Sequence, residues 1–121
     1  MEDIVEFIKS LGGLHDSKLL KLGWSLLERR LELHIKDIWW NSEGLPEYPG
    51  PTPAMFVFTN VSKFDVEVGD FCVVGHMIYD WTFQKTGTPN YISEIQFSPG
   101  GKIIVECARI ECVQFSTQSQ Q

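Results

Sequence analysis

The feature that most constrains this chain is a change of period. Ile4, Ile8 and Leu11 fall at i, i+4 and i+7, the spacing of one helix face. Beyond Gly12–Gly13 the spacing shortens to two. Leu20, Leu22 and Trp24 alternate with Lys21 and Gly23, and Leu31, Leu33 and Ile35 alternate with Glu32, His34 and Lys36. In an extended strand such alternation puts apolar side chains on one dry face and polar ones on a wet face. The stretch LLERR could prolong a helix, but the alternation past Leu31 would then drive charges into its apolar stripe. The spacing predicts a short helix over 3–11, with Asp3 as its cap and Glu6 as capping-box partner. A hairpin follows, with strands near 17–25 and 29–38 and a turn around Ser25–Glu28.

Residues 41–53, NSEGLPEYPGPTP, hold four of the six prolines. Proline fixes φ and removes the amide donor, so this stretch reads as a stiff surface loop. Ala54–Val61 is apolar on both faces, which predicts a central strand covered on both sides, the helix supplying part of the cover. Phe64, Val66 and Val68 mark a short strand closed by Gly69–Asp70. Val73–Lys85 sets Met77, Tyr79, Trp81 and Phe83 against His76, Asp80 and Thr82. Tyr91–Phe97 and Lys102–Phe115 flank the turn signal Ser98–Pro99–Gly100–Gly101. In the last of these the dry face switches between Cys107 and Ile110, as a bulge or bend would cause. The tail over 116–121 has no apolar anchor. With no long crossover helix to serve parallel strands, the expected fold is mainly β, or α+β if the helix is counted. It is an antiparallel sandwich, half-barrel or curved meander of about seven strands, in one domain over 1–121 whose β region runs from 15 to 115.

Composition narrows the function classes. The 121 residues, 43% hydrophobic and 12% aromatic, suffice for a single core. Sixteen acids against ten bases give a net charge of −6, a field that repels phosphate backbones and argues against nucleic acid. If that field selects a partner, the partner is a basic protein surface; the plainer reading is solubility. Cys72, Cys107 and Cys112 are odd in number, lie on apolar strand patterns and form no CxxC, so they read as reduced thiols of a cytoplasmic protein. The N-terminus opens with acids, unlike a signal peptide, and no window approaches the ~18 apolar residues of a membrane helix.

No catalytic constellation stands out. His15–Asp16 invites acid–base or metal chemistry, yet it precedes a hairpin, where Asp16 or Ser17 more readily caps the turn and His15 bonds to backbone. His15, His34 and His76 lack the local spacing of metal ligands. There is no GxSxG, no GxGxxG and no GxxxxGK[ST], and each cysteine sits where burial keeps a thiol inert. Neither catalytic residue, metal nor cofactor is expected.

Binding surfaces are better candidates. If the second strand reached Trp39–Trp40, the two indoles would point to opposite faces, leaving one off the dry side next to a rigid loop carrying Tyr48. Against this, the loop could fold back and bury both rings. Asp65 and Glu67 share a strand face, with Asp70 beyond, and could meet a basic partner; as a solvated row they would simply blunt an edge strand. A different class of function would place a small ligand in a pocket lined by Tyr79, Trp81 and Phe83, with His15, His34 or His76 as polar groups. Self-association through an open sheet edge, giving a homo-oligomer, is a third.

His15–Asp16–Ser17 followed by Leu20, Leu22 and Leu31–Ile35, then Phe56–Val57–Phe58–Thr59–Asn60–Val61, then Tyr91–Phe97, Gly100–Gly101 and Ile103–Cys112, resembles a loose group of small bacterial domains. These open with an apolar-His-Asp-small motif and a first hairpin, and the likeness runs over roughly residues 14–113. Some members look like immunity proteins of polymorphic toxin systems, which bind and block a cognate toxin and are not enzymes. The resemblance therefore implies a β-rich binding protein, with His15 and Asp16 as a structural signature of the first strand. The proline loop and Trp39–Trp40 depart from the group's pattern and leave the contact surface unassigned by it.

Overall fold

A computed structural model describes residues 2–40, 44–46, 48–67, 76–85, 90–98 and 100–115. The helix, α1, spans Glu2–Ser10, and a single 3₁₀ turn covers Gly12–Leu14. Strands follow at β1 (Lys18–Ser25), β2 (Arg30–Ile35), β3 (Ala54–Thr59) and β4 (Lys63–Glu67). The rest are β5 (His76–Lys85), β6 (Tyr91–Ser98), β7 (Lys102–Cys107) and β8 (Arg109–Gln114). Among the described residues these eight strands form one open antiparallel sheet, in the order β4-β7-β6-β5-β1-β2-β3-β8. The mainly β, antiparallel fold expected from the alternation is the fold observed.

The sheet behaves as two four-stranded halves. At the seam, the described residues of β5 and β1 pair through Lys18↔Met77 and Leu19↔His76. At the far side the chain itself ties the halves together. β7 passes into β8 through Ala108 alone, whose N–H bonds to the Thr59 carbonyl (3.3 Å), and the Ser62 N–H bonds to the Glu106 carbonyl (2.8 Å). The expected switch of dry face between Cys107 and Ile110 is this corner: Ile103, Val105 and Cys107 point inward on β7, Ile110 on β8. Aromatic rings close the core between the halves. Trp81 of β5 lies against Phe56 and Phe58 of β3, with centroids 5.1 and 6.1 Å apart, and Trp24 of β1 meets Phe64 of β4 at 4.8 Å.

Several local expectations are corrected. The helix begins at Glu2, so Asp3 lies inside its first turn rather than ahead of it. Ile8 and Leu11 join the same core as Phe56 and Phe58, so the helix does not cover the outer face of β3. Val57 is buried on that outer face and stands in register between Glu32 of β2 and Glu111 of β8. β2 stops at Ile35 rather than running to 38. Leu20 is 60% exposed because β1 carries an extra residue there: Leu19 pairs with Ile35 and Lys21 with His34. The bulge turns Leu19 inward beside Leu22 and Trp24 and pushes Leu20 out. The same happens at Tyr79, where Ile78 pairs with Phe97 and Asp80 with Gln96, so Tyr79 leaves the face that Trp81 and Phe83 share. The residues expected over 68–75, 86–89 and 116–121 lie outside the described ones.

Candidate functional site

The seam between the halves opens into a cleft of about 240 Å³. Asp37, just past β2, organises it. Its carboxylate accepts from the Trp39 N–H (3.0 Å) and the Thr52 N–H (3.1 Å) on one oxygen, and from the Tyr48 hydroxyl on the other. Its own carbonyl accepts from the buried Ser17 hydroxyl at 3.0 Å. The Ile38 N–H bonds to the Thr52 carbonyl at 3.1 Å. A carboxylate only 5% exposed is tolerable because these donors replace its water. The result is a proline loop pinned against the end of β2, which fixes the ring of Tyr48 in place.

Trp40, Tyr48, Pro51 and Met77 supply the apolar walls, and Lys18, Lys36 and Asp16 stand around them. Lys18 and Lys36 sit side by side, since the Lys36 N–H bonds to the Lys18 carbonyl at 3.0 Å. Trp40 is 42% exposed, whereas Trp39 packs half-buried against the core. The two indoles do part company, but a turn at 38–40 separates them and not strand alternation.

The acidic pair is elsewhere. Asp65 and Glu67 project from β4 beside Val66, Lys102 and Ile104, residues that share nothing with the cleft. β4 meets β1 at Trp24, six residues beyond Lys18, roughly 20 Å at the rise of a strand. The structure thus brings Trp40 and Tyr48 together, turns Trp39 inward, and leaves Asp65 and Glu67 apart; Asp70 lies outside the described residues.

The three residues of the alternative aromatic pocket do not share one face. Trp81 is buried among Phe56, Phe58 and Phe83 and donates its indole N–H to the Ser93 hydroxyl, while Tyr79 faces solvent. The histidines are likewise dispersed. The His15 Nδ1 lies 3.3 Å from Asp16, both about half exposed, and its ring approaches Tyr79. His34 lies on the outer face 3.4 Å from Glu32, which also accepts from Arg30 at 2.9 Å. The His76 side chain is outside what is described. Among the described residues no group of three or more His, Cys, Asp or Glu could hold a metal ion, and no helix is long and apolar enough to cross a membrane. Asp16 itself adopts φ 68° and its N–H bonds to the Ile78 carbonyl at 2.7 Å, which closes the start of the seam.

Burial pushes the thiols of Cys107 and Cys112 up to about 11, so at neutral pH both are protonated and poor nucleophiles. For Glu32, partial burial raises the carboxyl, but the hydrogen bonds from His34 and Arg30 and their charges outweigh it, and the group ends below its ordinary 4.5.

Sequence reasoning missed Asp37, Lys18 and Lys36. A signal for Asp37 was present: an acid flanked by Ile35 and Ile38 at the end of a strand must either be exposed or find several donors.

The class these observations define is a small domain of one rolled antiparallel sheet with a helix on its core. No family model matches the chain, and no curated protein matches it. Among solved structures, an uncharacterised protein from Neisseria gonorrhoeae has the same fold at a TM-score of 0.52 and 17% identity. The match covers 81% of this chain and 90% of that one, and at such identity the likeness is one of fold alone.

Proposed function

We propose that this chain is a non-catalytic protein-binding domain that seats a side chain of its partner in the cleft at Trp40. The observation that carries this reading is a large, partly exposed indole beside a tyrosine ring held in place by a buried, hydrogen-bonded carboxylate. Interfaces draw most of their energy from aromatic residues in preformed, rigid settings, because little side-chain entropy is then lost on binding. The volume supports a protein partner over a metabolite: about 240 Å³ falls short of the ~300–1,000 Å³ that encloses a drug-sized ligand.

In its specific form the partner is a basic toxin that the domain neutralises in the cytoplasm. Two things support this form, the net charge of −6, which would speed encounter with a basic surface, and the resemblance to immunity-type domains. The test is a pull-down against the product of the neighbouring gene, repeated with Trp40→Ala. We expect a loss of about 30-fold or more in affinity with an unchanged melting temperature. Equal capture by a folded variant would remove this surface from the proposal.

A further inference from the structure

The cleft's lining sets two cations, Lys18 and Lys36, beside two acids, Asp16 and Asp37. Lys18 and Lys36 make no ion pair among the described residues, although acids outnumber bases by 16 to 10 along the chain. The two described acids that line the cleft are already engaged. Asp37 accepts from three donors, and Asp16 lies 3.3 Å from His15. A basic side chain entering the cleft would meet two ammonium groups and a carboxylate whose lone pairs are mostly taken. A carboxylate would meet two unengaged cations next to apolar walls that exclude water on one side, where their attraction is less screened. The walls suit another ring, because Trp40, Tyr48 and Pro51 are themselves rings.

We infer that the occupant of the cleft is a polypeptide segment in which an aromatic residue stands next to an acidic one, the ring lying between Trp40 and Tyr48 and the carboxylate between Lys18 and Lys36. This rests on the reading of the cleft as a docking site and adds the chemistry of what docks. It also gives the negative net charge and the two unpaired lysines separate jobs. The long-range field gathers a basic partner, and the lysines set its register by selecting one acid on it.

Titration of the full ¹⁵N-labelled chain with acetyl-Trp-Glu-amide, acetyl-Trp-Gln-amide and acetyl-Ala-Glu-amide tests it by NMR. The Trp-Glu peptide is expected to shift the Trp40 indole N–H and the Lys18 and Lys36 amides, binding about fivefold more tightly than Trp-Gln. That preference should vanish at about 1 M salt and in a Lys18→Gln/Lys36→Gln variant, whose substituted side chains are exposed in the fold. Equal binding of Trp-Glu and Trp-Gln, or of Trp-Glu and Ala-Glu, overturns the inference and leaves the docking reading standing. If no peptide shifts the cleft while the chain stays folded, both fall together.

Discussion

At the scale of single residues, burial decides which polar groups matter. Ser17, Asp37 and Ser93 are the buried polar residues among those described, and each has hydrogen-bond partners. Asp37 carries the most consequence, since removing its carboxylate takes an acceptor from two backbone donors and from the Tyr48 hydroxyl. Asp37→Ala is expected to cost about 1–3 kcal/mol in urea denaturation and to weaken partner capture as the loop loosens. The thiols set an alkaline limit. Their pKa values are raised from 9.0 to about 11, so the stability they contribute is whole below pH 9 and is lost as pH climbs toward 11. A denaturation midpoint measured across that window should fall, and fall less steeply in Cys107→Val. Glu32 acts in the opposite direction: its lowered pKa gives stability above pH 4.5 that is lost as pH drops through the folded value. An NMR titration of the Glu32 carboxyl should show its midpoint below 4.5 and rising in His34→Ala.

At the scale of elements, two bulges shape the site. Among the described residues β1 and β5 pair at two positions, and each carries its extra residue just beyond them, at Leu20 and Tyr79. A bulge increases local twist, and the cleft lies between the two bulges, beside Lys18 and Met77. The exposed bulge residue then carries no packing load. Leu20→Thr is expected to stay within about 0.5 kcal/mol of the parent, whereas Leu33→Ala, on the dry face of the adjoining strand, should cost about 2–5 kcal/mol. A loss at Leu20 comparable to that at Leu33 would contradict the bulge. Gly23, in register with Glu32, has ordinary van der Waals room for a methyl group, its ideal Cβ lying 3.9 Å from the nearest atoms. Gly23→Ala should therefore be tolerated in thermal melts and gain up to about 1 kcal/mol.

At the scale of the whole molecule, the question is what the ends of the sheet do. β4 exposes Lys63, Asp65 and Glu67, and β8 exposes Arg109 and Glu111. Charged end strands resist pairing with a neighbour, which gives the acidic row on β4 a role without any partner. Static light scattering is expected to return the mass of a single chain at micromolar concentration. A dimer would instead direct attention to β8, where Val113 and Phe115 are both 40% exposed.

What the sequence determined by itself was local. A period of two dictates extended backbone, paired glycines end a helix, and clustered prolines forbid a strand, because each rule acts through neighbouring residues and their sterics. The break near Ala108 was legible for the same reason, since the dry face changes parity within three residues. The sheet's order, the bulges and the cleft were decided only in three dimensions. An inserted residue shows itself solely against the strand it pairs with, which is why Leu20 and Tyr79 were assigned to the wrong face. Likewise Asp37 became the organising group, and Trp40 the exposed indole, only once Tyr48 and Thr52 were brought back across more than ten residues of loop to supply donors that no local pattern reveals.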